Sequence, residues 1–360
     1  MKSFLKSNIK KLVGLSIHEY KLYHQTKAFE KRYKNVEHSL FENKLNDDIV
    51  DKYKRKWESL GYKVETETFM LCYNLSGKID YNVVPENIFA AIIEPYLNNN
   101  KELSFMSIKN IYEKWFDVSN VFPTSYFHKI NNVYYDERFK VIEDIQSFLR
   151  HENLIYPLIC KPSKDTGGGV GVKILYSLEE VNESLDSYEN LVYQELIIQN
   201  EVIDSISSGI NSIRTCLYRT KNGKFKVLNN SIRFGVDGSL DNETAGGIVC
   251  NINEHGELNS YAVDKYCKKF IKHPNSNVVF SEVTIPHYQD LFKLAEDISN
   301  EIPLCNLISL DMCLDKNNNW RCIEINLSAQ TIRFAQYAGT GFFNKYTDEV
   351  ISKITNMKGV

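Results

Sequence analysis

This 360-residue chain lacks the sequence features that identify several classes of protein. Its 43 basic and 46 acidic residues give a net charge of −3, so the composition indicates no general binding surface for nucleic acid. No apolar run approaches the roughly 20 residues of a membrane-spanning helix. The basic start, MKSFLKSNIKKLVGL, is too interrupted by charge for a signal peptide, so we expect a surface or amphipathic helix there.

Cysteine pairs of the Cys-x-x-Cys type are also absent among the eight cysteines. Several of the eight lie in apolar runs, where a free thiol behaves as a small hydrophobic side chain. This spacing indicates neither a disulfide framework nor a zinc site. We therefore expect free thiols in a reducing compartment, the cytoplasm.

What the chain does contain changes in character along its length. Residues 1–60 are charged, with apolar residues at helical spacing, and residues 83–118 predict further helices joined by loops. From Leu154 onward, short β-branched or aromatic runs alternate with turn signals such as Asn222-Gly223, which predicts sheets. The expected fold class is therefore α+β, with mostly antiparallel sheets.

A glycine-rich loop interrupts the stretch LICKPSKDTGGGVGVKIL, residues 158–175. It fits neither G-x-x-x-x-G-K-S/T nor G-x-G-x-x-G, patterns in which a strand leads into a helix. Here GVKIL predicts a second strand, so the loop closes a hairpin. Glycines let a backbone approach an anion closely, and Lys161 and Lys164 add positive charge. A flexible surface hairpin is one interpretation, and a flap over nucleotide phosphates fits better.

Two carboxylates are predicted to oppose each other on a later hairpin, NLISLDMCLDKNNNWRCIEIN. A four-residue loop, 316–319, would pair Asp315 with Trp320 and place Asp311 opposite Glu324, with Asn326 on the same face. Like charges opposed across strands destabilise the pair, and a hard divalent cation with oxygen ligands would offset this. The alternative is a solvated polar face or one protonated carboxylate. The other face is predicted to be apolar, with Leu310, Met312, Leu314, Ile323 and Ile325.

The hairpin around Asn222-Gly223 carries two arginines. The same counting places Arg214 opposite Ser231 and Arg233 opposite Ser212, which makes the arginines diagonal neighbours on one face. Such a face suggests a site for phosphate, acyl phosphate or carboxylate. Pairing with nearby Asp or Glu is the alternative. The opposite face is predicted to carry Ile213, Leu217, Leu228 and Ile232.

These motifs together resemble those of an ATP-grasp enzyme of the sugar-transfer-associated group found with bacterial capsule and surface-polysaccharide genes. They are Lys161-Pro162, the glycine hairpin, YQEL at 193–196, NSIRT at 211–215 and the trio Asp311, Glu324 and Asn326. The resemblance covers residues 83–345. It implies two α+β lobes with antiparallel sheets gripping ATP. The implied division is a mainly helical N-terminal region 1–82, a linking region 83–150, a small lobe 151–200 with the flap, and a large lobe 201–360 with the metal site.

The resemblance also implies a role for each matching residue. ATP phosphates would contact Lys109 and Lys161 beneath a flap formed by Gly167, Gly168 and Gly169. Adenine would be held by Gln194, Glu195 and Leu196, and the ribose hydroxyls by Glu201, with Asp204 close to it. Mg²⁺ or Mn²⁺ would be held by Asp311, Glu324 and Asn326. Phosphoryl, tetrahedral and substrate charge would be stabilised by Arg214, Arg233 and Arg333.

Two further stretches concern the acceptor side of the resemblance. DNETAGGI, residues 241–248, is similar to the family's second glycine-containing loop. LSAQT follows Asn326 where many members carry Pro-Gly, so the substrate loop departs from the family pattern.

The resemblance implies a ligase that phosphorylates a carboxylate with ATP and joins the acyl phosphate to an amine. We expect an amide between an amino acid or amine and a sugar carboxylate of a surface polysaccharide. The partners would be small molecules, without nucleic acid or an integral membrane segment. The alternatives are a kinase acting on a hydroxyl and an inert nucleotide-binding partner of glycosyltransferases, although the intact metal trio argues against the inert protein.

Overall fold

The computed structural model describes residues 2–42, 45–116, 120–164, 169–187, 189–238 and 246–359, with side chains between residues 17 and 357. Helices dominate the first 116 residues, and two antiparallel sheets follow. The helices are α1 Lys2–Tyr33, α2 Asp47–Glu58, α3 Glu67–Ser76, α4 Glu86–Ile88, α5 Glu94–Leu97, α6 Tyr112–Trp115, α7 Ile145–His151, α8 Leu178–Ser184, α9 Glu201–Asp204, α10 Tyr288–Asn300, α11 Arg333–Gln336 and α12 Thr347–Gly359.

Helix α2 shows how local sequence sets the N-terminal region. The Asn46 side chain caps it by accepting from the Asp48 N–H at 2.9 Å, and acidic residues fill its first turn. Its apolar face buries Tyr53 and Trp57 completely. The Trp57 indole N–H donates to the Tyr81 carbonyl at 3.1 Å, so its polar edge is satisfied.

A five-stranded small sheet comes from one continuous segment, residues 125–195. Its strand order is β2-β1-β5-β3-β4, and every neighbouring pair is antiparallel. The β3–β4 pairing confirms the hairpin predicted around the glycine loop. The strands are β1 Ser125–Ile130, β2 Val133–Asp136, β3 Leu158–Pro162, β4 Lys173–Leu175 and β5 Leu191–Glu195.

The β1–β2 hairpin is a strand pair that our sequence analysis missed, because it placed the first sheet after Leu154. Its tight turn is Asn131-Asn132, and both residues adopt positive φ, at 51° and 63°. Asparagine tolerates this conformation better than most residues, so the dipeptide was an available turn signal. Both strands lie within the segment 83–150 that the resemblance implied as a linking region.

A seven-stranded large sheet has the order β10-β9-β8-β7-β6-β11-β12. One face packs with α10 on a core that includes Ile213, Leu310 and Leu291. The other face shares a core with the N-terminal helices, in which Trp57 and Tyr218 take part. The strands are β6 Ile213–Arg219, β7 Phe225–Phe234, β8 Ile248–Ile252, β9 Leu258–Val263, β10 Lys269–Phe270, β11 Leu307–Leu314 and β12 Trp320–Asn326.

The predicted facing of Asp311 and Glu324 is confirmed, but the count behind it was wrong by one at the turn. Trp320 pairs with Leu314 rather than with Asp315. A β-bulge at Ile323 then adds one residue to β12 and restores the predicted pair. As a result Cys322 enters the core, and Ile323 is half-buried instead of belonging to that apolar face.

The arginine hairpin repeats this correction. Arg214 pairs with Ser231 as predicted, and the Arg233 N–H donates to the Ser212 carbonyl at 3.0 Å. Near the turn, Arg219 pairs with Phe225, and a bulge at Leu228 shifts the register by one. Leu228 was therefore wrongly placed on the face of Ile213, since it packs into the core shared with the N-terminal helices.

All eight cysteines are buried and none forms a disulfide. Among the described helices, none combines the length and the apolar character that crossing a membrane requires.

Candidate active site

The predicted metal trio comes together on the β11–β12 hairpin. Asp311 and Glu324 are directly paired across the two strands. The Asn326 side-chain amide donates to Asp311 Oδ2 at 3.3 Å. Asp311 is buried, whereas the Glu324 side chain is 27% exposed and faces a more open environment.

Both predicted hairpin arginines converge on Asp311. Arg214 makes a two-pronged contact in which Nε donates to Oδ1 and Nη2 donates to Oδ2, the latter at 2.9 Å. Arg233 Nη2 lies 3.6 Å from Oδ1. Although burial opposes ionisation, the nearby Arg214 and Arg233 charges lower the pKa of Asp311 to about 2. Asp311 is therefore an anion throughout the physiological range.

Two buried lysines approach the same hairpin from the small sheet and the segment before it. Lys109 Nζ lies 2.8 Å from Glu324 Oε1, and its backbone N–H donates to the Ser163 carbonyl at 2.8 Å. Lys161 lies on β3. Burial, reinforced by the nearby Lys109 charge, lowers the pKa of Lys161 to about 8. Its ammonium would gain from an additional anion.

These six side chains, hereafter the charge cluster, contain two more cations than carboxylates. They are Lys109, Lys161, Arg214, Arg233, Asp311 and Glu324. Nowhere in the described part of the chain do three His, Cys, Asp or Glu side chains gather around one point. Two carboxylates and one amide oxygen fit Mg²⁺, which takes few protein oxygens and completes its shell with phosphate and water. The site therefore fits a polyphosphate carrying such a metal.

The predicted adenine segment lies at the end of β5. Gln194 Nε2 donates to Ser125 Oγ at 3.1 Å, while its Oε1 is buried and has no hydrogen-bond partner among the described residues. Glu195 Oε1 accepts from the Thr124 N–H at 2.9 Å and from Arg321 Nη2. Leu196 is half-buried. The orphaned amide oxygen can accept a bond from a ligand.

An apolar surface that the sequence analysis did not single out lies beside Lys161. Ile159 pairs with Ile174 and with Gln194, and Lys161 pairs with Val192. Directly paired residues share a face, so these side chains line the Lys161 face of the small sheet. Ile174 is 43% exposed there. Period-two alternation along ICK and VKI was the signal that could have found this surface.

The glycine loop is described only in part. Gly167 and Gly168 lie outside the described residues, whereas Gly169 is described and has φ of 73°. At Gly171, which precedes β4, a Cβ would come within 2.7 Å of Pro162 Cγ, so a side chain there would force the chain away from the Pro162 ring. Residues 241–245 of the predicted second loop also lie outside the described part.

Two other predicted site residues lie in different surroundings. Glu201 opens the short helix α9 and is exposed, with Asn200 capping the helix in front of it. Arg333 opens α11 and is buried, with Nη1 3.6 Å from Glu86 Oε1 on α4 and its guanidinium over the Phe334 ring. Burial raises the pKa of Glu86, and Arg333 and Arg32 oppose that rise.

Comparison with known proteins gives one family. The model of the family described as sugar-transfer associated ATP-grasp matches residues 90–350. Among curated proteins, none matches the chain.

Solved structures also match the chain, at low sequence identity. The biotin carboxylase domain of Hydrogenobacter thermophilus 2-oxoglutarate carboxylase, solved with MgADP, ADP and bicarbonate, has 15% identity over 72% of this chain and 46% of that chain, with a TM-score of 0.41. D-alanine–D-alanine ligase from Coxiella burnetii has 12% identity over 71% and 58%, with a TM-score of 0.40. The ATP-grasp ligase PsnB, complexed with a phosphomimetic variant of its minimal precursor, Mg and ADP, has 12% identity over 71% and 61%, with a TM-score of 0.43. The chain thus spans less than two thirds of each of these proteins.

Proposed function

The chain belongs to the sugar-transfer associated ATP-grasp family, and from that premise we propose that it is an ATP- and Mg²⁺-dependent carboxylate–amine ligase. The observation that carries the proposal is the charge cluster, in which four cations surround the opposed carboxylates Asp311 and Glu324. Its positive excess, between a small and a large sheet, suits a triphosphate with a bound metal.

In this proposal Asp311, Glu324 and Asn326 hold Mg²⁺, which when bound neutralises phosphate charge. Lys109 and Lys161 bind phosphate oxygens, and the loop with Gly167, Gly168 and Gly169 covers them. Residues 194–196 bind adenine, with Gln194 Oε1 as an acceptor for its amino group, and Glu201 binds ribose. Ile159 and Ile174 exclude water from the base.

The reaction we propose has two steps. The substrate carboxylate takes the terminal phosphoryl group of ATP, giving an acyl phosphate and ADP, and the amine then displaces phosphate to form the amide. Arg214 stabilises the transferred phosphoryl group, and Arg233 orients the acyl group. Fixed positive groups in a water-poor cleft stabilise developing negative charge without reorganising. Arg333 binds a substrate anion in this proposal, and its guanidinium lies 3.6 Å from the Glu86 carboxylate of α4.

The substrates we propose are an amino acid or amine and a sugar carboxylate, joined during synthesis of a surface polysaccharide. The family's association with sugar transfer supports a sugar as one partner. The eight buried thiols, none of which forms a disulfide, support work in a reducing compartment, the cytoplasm.

Hydroxylamine trapping tests the proposal. The protein is incubated with Mg-ATP and a panel of nucleotide-linked uronates and amino acids, and both ADP and hydroxamate are measured. We expect ADP release that depends on a uronate, and hydroxamate when hydroxylamine replaces the amine, because an acyl phosphate acylates hydroxylamine. ADP without hydroxamate would identify a kinase, since a phosphate ester is not trapped. An absence of ADP with every substrate would contradict both activities.

A further inference from the structure

The small sheet joins the rest of the protein through two chain crossings. The entering crossing is residues 121–124, and the leaving crossing is residues 195–200. The Cys322 N–H on β12 donates to the Val121 carbonyl at 2.7 Å, which fixes the first crossing. The Asn200 N–H donates to the Leu314 carbonyl at 2.9 Å, which fixes the second. Both crossings therefore attach to the hairpin that carries the metal trio.

One side chain contacts both crossings at once. Arg321, on β12 and 8% exposed, donates from Nη2 to the Phe122 carbonyl at 2.8 Å and to Glu195 Oε1. Its Nη1 lies 3.6 Å from Asp315 Oδ2 at the end of the hairpin. The contacts of this one guanidinium thus join the entering crossing, the leaving crossing and the hairpin turn.

The bulge at Ile323 puts Arg321 on the face where it is needed. Arg321 pairs with Cys313, and Glu324 pairs with Asp311. Because Asp311 and Cys313 are two residues apart on a regular strand, they share a face, and so do their partners. Arg321 and Glu324 are three residues apart and would point to opposite faces of an unbulged strand.

We propose that Arg321 is a positioning residue that fixes the adenine-binding segment 194–196 to the metal-binding strand β12. This inference rests on the proposed nucleotide site. The described contacts of Arg321 are with Phe122, Glu195 and Asp315, which do not belong to the charge cluster. Its charge-assisted contacts set the distance between the adenine end and the phosphate end of the site. A ligand with both ends then binds with little further ordering cost.

A guanidinium suits this task better than an ammonium. Its planar fork directs separate N–H groups to Phe122, Glu195 and Asp315, whereas a lysine presents a compact point charge. The backbone bonds from Cys322 and Asn200 remain when Arg321 is replaced, so the two sheets stay joined and the variant is expected to fold.

The test compares ligands that occupy one or both ends of the site. Mg-ADP, adenosine and Mg-pyrophosphate are titrated separately by calorimetry into the wild-type chain, Arg321→Met and Arg321→Lys. We expect Arg321→Met to weaken Mg-ADP by about tenfold or more, the scale of a lost charge-assisted contact, while adenosine and Mg-pyrophosphate bind as in wild type. Arg321→Lys should give an intermediate loss, since it restores charge without the fork.

Arg219→Gln is the matched control. Arg219 donates to the carbonyls of Cys305, Gly223 and Ile302, all within the large lobe. Its loss should lower stability and leave the affinity for Mg-ADP unchanged. This comparison separates general destabilisation from loss of register between the two ends of the nucleotide.

Three results would overturn the inference. The first is unchanged Mg-ADP affinity in Arg321→Met, and the second is an equal loss for all three ligands, which indicates general damage. The third is a wild-type protein that binds no Mg-ADP. That result also contradicts the proposed function, whereas the first two contradict only the role of Arg321. Should Arg321→Met fail to fold, Arg321→Lys carries the same comparison, since its ammonium lacks the planar fork that contacts Phe122, Glu195 and Asp315 together.

Discussion

At the scale of single residues, Asp311 gathers positive charge and hydrogen bonds on both of its carboxylate oxygens. Arg214 contacts both oxygens, Arg233 lies beside one, and Asn326 donates to the other. In the proposed mechanism Asp311 would hold the metal while it also orients Arg214, the residue assigned to the transferred phosphoryl group. The carboxylate is therefore the group on which the metal and the arginines depend together.

Replacing Asp311 with asparagine tests this dependence. The side chain keeps its shape and loses its charge, so we expect Asp311→Asn to fold and to lower kcat for ADP formation by on the order of 10² or more. ADP production at saturating Mg²⁺ is the measurement. Asp290→Asn, on the exposed face of α10, is the matched control and should be fully active. Wild-type turnover from Asp311→Asn would remove the metal assignment.

Lys161 predicts a pH dependence of nucleotide binding. In the free protein its pKa is about 8, because burial and Lys109 disfavour the ammonium. Bound phosphate favours the ammonium and raises the pKa, so binding takes up a proton above pH 8. Affinity for Mg-ADP should therefore fall as pH rises through about 8, by up to about tenfold per unit. Calorimetry between pH 7 and 9.5 measures this.

The comparison variant for that experiment is Lys161→Arg. Arginine stays protonated throughout the range, so its affinity should be nearly independent of pH. A wild-type affinity that does not change across pH 8 would show that the Lys161 ammonium does not face the phosphates.

At the scale of secondary-structure elements, a π-helical turn, Phe89–Ile93, lies between α4 and α5 and is followed directly by Glu94. The Glu94 carboxylate is buried and accepts the Gln330 N–H at 2.9 Å and also the backbone of Ala329. Gln330 in turn accepts from Ser309, the neighbour of Asn326 across the strands. This chain of contacts holds the segment that follows the metal trio.

Burial of Glu94 should make stability fall as pH rises from 4.5 to 7. Burial raises its pKa to about 7, against the backbone bonds from Gln330 and Ala329 that lower it. Between the unfolded value, 4.5, and 7 the folded state binds the proton more tightly. Ionisation of Glu94 thus removes up to about 3 kcal/mol of stability, and the loss is complete above pH 7.

Urea unfolding of Glu94→Gln across this range checks the slope. The variant cannot titrate at position 94, so its stability should fall less than that of the wild type between pH 4.5 and 7. Burial raises the pKa of Glu86 in both proteins, so its contribution to the slope cancels from the difference. Glu58→Gln, at an exposed position on α2, should keep the wild-type slope. Identical slopes for wild type and Glu94→Gln would contradict the prediction.

The two site hairpins show what sequence can and cannot predict at this scale. Alternation of apolar residues identified the correct face for Asp311, Glu324 and Arg214. The turns were each miscounted by one, and the bulges at Ile323 and Leu228 cancelled the error. A bulge depends on how the neighbouring strands and core accept an extra residue, which local propensity does not report. Arg321 was missed for this reason, because an unbulged strand turns it toward the core.

At the scale of the whole molecule, the N-terminal helices and the large sheet share one core. Trp57 on α2, Phe89 beside α4 and Tyr218 on β6 belong to it, as does Phe343 near the C-terminus. Helical periodicity predicted the helices but not this partnership, because an apolar helix face does not specify which surface covers it. The N-terminal helices therefore pack beside the charge cluster, on the face of the large sheet that carries Arg214 and Asp311.

Gly341 tests that partnership where the C-terminal segment crosses the N-terminal region. A Cβ there would lie 2.2 Å from the Asn82 carbonyl oxygen, and the Gly341 N–H donates to Asp80 Oδ2 at 2.8 Å. Backbone must move to relieve such a contact, so Gly341→Ala should cost at least about 2 kcal/mol.

Gly61→Ala is the control for that substitution. Its φ is 80°, but nothing lies within 4 Å of the added carbon, so only the left-handed conformation is penalised, by about 1 kcal/mol. Denaturant unfolding of both variants gives the comparison. Equal losses of unfolding free energy in the two variants would contradict close packing of Gly341 against the Asn82 backbone.

The eight buried thiols give the whole molecule a built-in gauge of opening. They are spread over both halves of the large-sheet core and the small sheet, from Cys72 in α3 to Cys160 in β3 and Cys322 in β12. A thiol reagent can reach each one only when its surroundings open. The order in which the eight sulfurs become labelled therefore reports which part of the protein unfolds locally first. Labelling with a ligand present reports which part the ligand protects, and no engineered probe is needed.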